Sequence, residues 1–94
     1  PICAEILSEP KHGPDVVLVA SRSEAELILK AGDMLSVQGI MARLVAVDDS
    51  GAFDRLSGAQ RESFLPEGKP FVRVDDPETT PKAIMQAAVA AKGK

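Results

Sequence analysis

The chain carries one candidate anion-binding turn, formed by Ser21, Arg22 and Ser23. The turn lies where the apolar run Val16 to Ala20 passes into a segment with helical spacing. Helix amides and the helix dipole favour an anion at such a place, and an arginine fork can hold phosphate or carboxylate. The turn lacks the repeated glycines of a phosphate loop, and capping by Ser23 explains part of the pattern. We therefore name Ser21, Arg22 and Ser23 as possible anion-binding residues.

Two pairs of carboxylates, Asp48-Asp49 and Asp75-Asp76, each follow a predicted strand. Ligands of open α/β sheets bind beyond the carboxyl ends of the strands, so a metal site or a general base is conceivable there. Acidic residues also end strands because their side chains bond nearby backbone amides. Without a companion histidine or glycine-rich metal loop, the sequence favours the turn role and predicts no metal site.

Cys3 and His12 are the only thiol and imidazole in the chain. A nucleophilic pair needs direct hydrogen-bond contact and a third orienting group. His12 lies in the loop Ser8 to Pro14, whose prolines and glycine predict a solvated surface segment. The sequence therefore predicts no catalytic and no cofactor-binding residue.

The stretch from Asp15 to Val47 predicts a parallel β-α-β unit that positions these side chains. The run Val16 to Ala20 is continuously apolar, which is typical of a central strand covered on both faces. Ala42 to Val47 predicts the second strand, and a connection of this length should be right-handed.

A helix is predicted between these strands, from Glu24 to Gln38. Ser23 and Glu26 have capping-box spacing, and Gly39 is the expected left-handed stop. One apolar stripe should face the sheet. Its members are Leu27, Ile28, Ala31, Met34 and Leu35.

The remaining elements follow from shorter patterns. An edge strand is predicted in Ile2 to Leu7, and core anchors are predicted at Phe53 and Leu56. A short helix capped by Ser57 and Gln60 should end at Phe64, and a strand near an edge should follow at Pro70 to Val74. The last helix should have Thr80 as cap and Pro81 in its first turn, with Ile84, Met85, Ala88 and Val89 facing inward.

Length and composition predict a single domain over residues 1–94. A net charge of -3 gives no basic field for nucleic acid, and three Phe with no Trp or Tyr offer almost no stacking surface. One cysteine and the lack of a long apolar run favour a cytoplasmic domain without membrane contact.

Five segments carry a family resemblance: Val16 to Glu24, Gly39 to Val47, Ala52 to Arg55, Gln60 to Pro66 and Thr80 to Ile84. Together they resemble the C-terminal domain of transketolase, in which a strand leads to a Gly-Ser-Glu turn and a helix, and Phe-Asp precedes Arg-Glu-Ser-x-Leu-Pro. Arg22 stands where that family usually has glycine. The chain between Val74 and Thr79 is much shorter than in the family, so the sheet should be smaller.

The resemblance implies a three-layer α/β/α domain with a small, mostly parallel sheet. In transketolase the two preceding domains bind thiamine diphosphate and the divalent metal, so this chain is expected to bind no cofactor and to be inactive alone. It would be a packing or regulatory module whose partners are other transketolase-like domains or subunits. Alternatives are the equivalent domain of a pyruvate dehydrogenase β-type or deoxyxylulose phosphate synthase enzyme, or a free-standing small-anion or protein-interaction module.

Overall fold

A computed structural model describes residues 3–93 of the chain. The elements in chain order are β1 (Ala4–Ser8), β2 (Val16–Ser21), α1 (Ala25–Val37), β3 (Ala42–Val47), α2 (Ser50–Asp54), α3 (Gly58–Phe64), β4 (Phe71–Val74) and α4 (Pro81–Lys92). A 3-10 turn, Arg22–Glu24, joins β2 to α1. Ile2, which we placed in the first strand, lies outside the described residues. None of the helices in residues 3–93 has the length and apolar character needed to cross a bilayer.

The four strands form one mixed sheet in the order β1-β3-β2-β4. β2 pairs in parallel with β3 on one side and with β4 on the other, and Leu18 lies beside Leu44 and Val72. β1 joins the outer side of β3 in the antiparallel direction. The predicted parallel β-α-β unit, the central position of β2 and the edge positions of β1 and β4 are therefore confirmed.

Buried side chains cover both faces of the sheet because the apolar run of β2 sends alternate residues to opposite sides. The face covered by α1 and α4 buries Val16, Leu18, Ala20, Ile28, Ala31, Leu35, Leu44, Ile84 and Ala88. The other face buries Ala4, Val17, Val19, Val45, Val47 and Phe53, with Leu56 and Phe64 packed against them. Helices on both faces make three layers, and the predicted α/β class is confirmed.

The predicted capping box at the start of α1 is wrong. Neither Ser23 nor Glu26 makes it, because the backbone first turns through Arg22–Glu24 and α1 begins at Ala25 without a side-chain cap. The Ser23 hydroxyl instead donates to the Glu24 carboxylate. The other end of α1 is as predicted, since Gly39 has a φ of +78° that a residue with a Cβ adopts only with strain.

The last helix begins as the sequence predicts but buries a narrower stripe. Thr80 Oγ1 accepts a hydrogen bond from the Ala83 amide at 3.1 Å, and Pro81 occupies the first turn. Ile84 and Ala88 are buried, whereas Val89 remains 38% exposed, so its predicted inward position is wrong. Val89 falls outside the buried stripe by which α4 packs against α1, β4 and β2.

Candidate functional site

The parallel strands bring the predicted site residues to one edge of the sheet. Because β2, β3 and β4 run in the same direction, their carboxyl ends meet there and surround a cleft of about 280 Å³. The cleft is lined by Ala20, Ser21, Glu24, Val47, Asp48, Ser50, Arg73, Val74 and Asp75. The carboxylates Asp48 and Asp75, which lie far apart in the sequence, therefore share one cleft.

Arg22 is held at this edge by carboxylates from two other parts of the sheet. Its Nε and Nη2 donate to the two oxygens of Asp48 at 3.0 and 2.9 Å, and its Nη1 lies 2.8 Å from Glu5 Oε1. The hydrogen bond from Arg22 is the main cause that lowers the pKa of Asp48. The bonds to Asp48 and then to Glu5 raise the pKa of Arg22. Arg22 thus ties the end of β2 to β1 and to the end of β3.

The two serines of the predicted anion turn serve a neighbouring carboxylate. The hydroxyls of Ser21 and Ser23 both donate to Glu24 Oε2 and lie 3.0 Å from each other. The hydrogen bond from Ser21, followed by the one from Ser23, lowers the pKa of Glu24. The turn therefore already contains its own negative charge.

The cleft does not fit a phosphate, a diphosphate or a metal ion. Three of its four charged side chains are carboxylates, namely Glu24, Asp48 and Asp75, and the fourth, Arg73, faces Asp54 and Asp75. Within residues 3–93, no three His, Cys, Asp or Glu side chains are grouped so that they could hold a metal ion. Anion binding by Ser21, Arg22 and Ser23 stays a prediction that these contacts do not favour.

The second member of each carboxylate pair bonds the backbone, as the turn interpretation expects. Asp49 Oδ1 accepts from the Ala52 amide at 3.0 Å and so caps α2, a short helix that the sequence analysis did not predict. Asp76 Oδ1 accepts from the Glu78 amide at 2.9 Å in the turn before α4. Both side chains act locally in the fold.

Cys3 and His12 lie at opposite ends of β1. The Cys3 carbonyl accepts hydrogen bonds from the Asp48 and Asp49 amides at 2.7 and 3.2 Å, at the carboxyl ends of the parallel strands. His12 is exposed in the turn that follows β1, so the whole length of that strand separates the two side chains. The structure therefore brings no thiol-imidazole pair together.

Arg43 is a structural residue that the sequence analysis missed. Its side chain is only 14% exposed, binds Glu9 at 2.6 Å, and donates from Nη1 to the Ser63 and Phe64 carbonyl oxygens at 3.1 and 3.0 Å. These bonds attach the end of α3 to β3. The available signal was a charged residue within an otherwise apolar strand.

A model of the "Transketolase-like TK C-terminal domain" family matches residues 4–92. Among curated proteins, transketolase 1 of Pasteurella multocida is 41% identical over 58 residues, which cover 62% of this chain and 9% of that protein. The chain therefore spans only about a tenth of the length of the curated relatives that it matches.

Solved structures share the fold at lower identity. A transketolase mutant from Pichia stipitis superposes with a TM-score of 0.81 at 23% identity, covering 97% of this chain and 18% of that one. Transketolase from Leishmania mexicana gives a TM-score of 0.82 at 19% identity with the same coverage of both chains. These likenesses support the arrangement of helices and strands described above.

Proposed function

Because this chain belongs to the family of transketolase-like C-terminal domains, we propose that it serves as the C-terminal domain of a thiamine diphosphate-dependent ketol-transfer enzyme. In this role it is a packing or regulatory module and does no chemistry by itself. One observation carries the proposal: the family model covers residues 4–92, yet the chain spans only 9% of the relative from Pasteurella multocida. The chemistry would then lie in the domains that make up the rest of such an enzyme.

The side chains of the cleft support a non-catalytic role. Its carboxylates would repel a diphosphate, and its one guanidinium, that of Arg73, already pairs with Asp54. Arg22, which lies beside the cleft, is held in the same way by Glu5 and Asp48. A cofactor diphosphate needs metal ligands and free hydrogen-bond donors at the same place. Thiamine diphosphate and its divalent metal are therefore assigned to partner domains, and no step of the reaction is assigned to residues of this chain.

Apolar surface beside α1 supports a packing role. Leu29 and Met41 are 44% and 39% exposed and flank a groove of about 220 Å³ whose floor includes Gly32 and Leu44. Exposed apolar side chains that cluster around a groove are typical of a surface that contacts another protein. We place the contact with the neighbouring enzyme domains at this groove.

A domain exchange tests the proposal. The C-terminal domain of the Pasteurella multocida transketolase is replaced by this chain, and turnover of xylulose 5-phosphate and ribose 5-phosphate is measured with thiamine diphosphate and Mg²⁺. The exchanged enzyme should fold and turn over substrate, while the 94-residue chain alone should show no turnover and no calorimetric binding of the cofactor. Turnover by the isolated chain, or an exchanged enzyme that cannot assemble, would contradict the proposal.

Two variants of the exchanged enzyme locate the contact. Leu29→Glu should weaken assembly because it places a charge in the apolar groove. Val37→Glu is the matched control, since Val37 lies on the same helix and is already 87% exposed. Equal effects of the two changes would remove the assignment of the groove.

A further inference from the structure

The outer edge of β4 carries peptide groups that bond to nothing else among residues 3–93. β4 pairs only with β2, and the Val17 amide donates to the Pro70 carbonyl oxygen at 3.0 Å. Peptide groups alternate in direction along a strand, so those of Val72 point to β2, while those of Phe71 and Arg73 point outward. Two amides and two carbonyls therefore form an open edge.

The two edges of the sheet differ in how they are protected. β1 has an irregular register between Ile6 and Ser8, and such a bulge discourages the pairing of another strand. β4 is regular and contains neither proline nor lysine. Its one charged side chain, Arg73, turns inward, since its guanidinium lies 5.4 Å from the centre of the Phe53 ring and pairs with Asp54. The β4 edge therefore lacks the features that usually prevent another strand from pairing with it.

A groove runs beside this edge, between β4 and α4. It has a volume of about 200 Å³ and is lined by Val72, Val74, Ala83, Ile84 and Ala87, among others. Because Ala83 and Ala87 are small, the helix leaves room above the edge for side chains that project from a further strand. Phe71, 45% exposed, borders the edge on the opposite face.

We propose that two copies of this chain pair through β4, antiparallel, about a twofold axis at Val72. In this register Phe71 lies opposite Arg73 of the second copy, and the two residues exchange both main-chain hydrogen bonds. Arg73 of the first copy and Phe71 of the second copy do the same. The two outward amides and two outward carbonyls of each copy are therefore all paired, in four hydrogen bonds across the contact. Two sheets of four strands become one of eight.

The charges beside β4 select this register and a second copy as the partner. With the axis at Val72, Lys69 lies opposite Asp75 of the second copy, and the symmetric contact repeats the pair. An axis at Arg73 would place Arg73 against itself, and an axis at Phe71 would place Lys69 against Arg73. Like charges directly opposite each other destabilise an antiparallel pair, whereas opposite charges stabilise it.

The contact is short, so the dimer should be weak and dependent on concentration. A four-residue edge with two charge pairs buries less area than a stable interface needs, and we expect a dissociation constant on the order of 0.1–1 mM. This pairing is independent of the proposed function, because it uses the edge of β4 and not the groove beside α1.

Amide hydrogen exchange and chemical shifts of the 94-residue chain, recorded from about 20 µM to 2 mM, test the pairing. Raising the concentration should shift and protect the Phe71 and Arg73 amides, whereas the Val72 and Val74 amides are protected throughout. A mixed sample of labelled and unlabelled chain should show a contact between the Val72 α-protons of the two copies. A chain that stays monomeric at 2 mM, or shifts that centre on β1, would overturn the proposal.

Charge reversal tests the register. Lys69→Glu and Asp75→Lys, each alone, should weaken dimerisation about tenfold, because each change sets two like-charge pairs across the contact. The double variant Lys69→Glu/Asp75→Lys restores opposite charges and should recover most of the affinity. Lys11→Glu and Asp33→Lys are the matched controls on exposed residues away from β4. If the double variant dimerises no more tightly than the single variants, this register is ruled out.

Discussion

Arg22 shows how a residue with the chemistry of a ligand site can be used by the fold instead. A guanidinium beside a helix start can hold an anion, but here Asp48 and Glu5 of the same domain supply that anion. All three side chains are substantially exposed, so solvent and salt screen the pairing. Its main effect is to fix where β1, β2 and β3 end relative to one another.

The carboxylate of Asp48 should make the stability of the fold depend on pH. Its folded-state pKa lies below the ordinary value of 3.8 because of the hydrogen bond from Arg22, so its contribution is present above that value and is lost as the pH falls through the folded pKa. Asp48→Asn should melt at a lower temperature than the native chain at pH 7, and the gap between the two should narrow as the pH falls through the folded-state pKa of Asp48. Melting curves from pH 7 to pH 2 that keep a constant gap would contradict this.

Phosphate should have little effect on the melting temperature of the domain. If the contacts of Arg22 leave no room for an outside anion, 50 mM phosphate should raise the melting temperature no more than chloride at equal ionic strength, and about equally in Arg22→Ala. A rise of several degrees in the native chain that Arg22→Ala abolishes would instead establish the anion site at Ser21, Arg22 and Ser23.

Short elements of the fold are held in place by a few polar side chains. Asp49 caps α2, Gln60 Oε1 accepts from the Ser57 amide at the start of α3, and Arg43 bonds the last carbonyls of α3. Helices of five and seven residues are too short to be stable in isolation. Their position on the sheet therefore depends on these bonds and on the packing of Phe53 and Phe64.

Arg43→Ala should loosen α3 from the sheet. It removes two charge-assisted hydrogen bonds from a mostly buried side chain and leaves the Ser63 and Phe64 carbonyls unpaired, so we expect a loss of about 2 kcal/mol in the free energy of unfolding. Urea unfolding measures the loss. Arg55→Ala, an exposed arginine on the same side of the sheet, is the control and should change stability by less than about 0.5 kcal/mol.

At the scale of the whole molecule, the sheet separates two cores of unequal depth. Two helices of 12 and 13 residues cover one face, whereas the other face is covered by α2 and α3 and depends on one large side chain, Phe53. The Phe53 ring lies 5.8 Å from that of Phe64, in a tilted arrangement typical of aromatic pairs. This second core is therefore the more sensitive to a single change.

Phe53→Ala should cost about 3–5 kcal/mol in the free energy of unfolding, because it removes a fully buried phenyl group and leaves a cavity in this core. For a domain of this size such a loss is a large part of the total stability. Phe71→Ala, measured at micromolar concentration where any dimer is dissociated, is the control for removing a phenyl group from an exposed position. If Phe53→Ala and Phe71→Ala lowered the free energy of unfolding by similar amounts, Phe53 would not have the central role in this core that we propose.

The order and kinds of most elements could be predicted from the amino-acid sequence, because each element leaves a local signature. The run Val16 to Ala20, the stop at Gly39 and the cap at Thr80 depend on neighbouring residues alone. The family resemblance was also carried by local segments.

The partners of the polar side chains, in contrast, depend on long-range contacts in the folded chain. Ser21, Arg22 and Ser23 share the pattern of an anion site, but Asp48 and Glu5 reach Arg22 from 26 and 17 residues away in the chain, through the pairing of three strands. The same holds for Arg43, whose partners come from α3 and from the segment after β1. No local pattern encodes such contacts, because they depend on which strands become neighbours in the sheet.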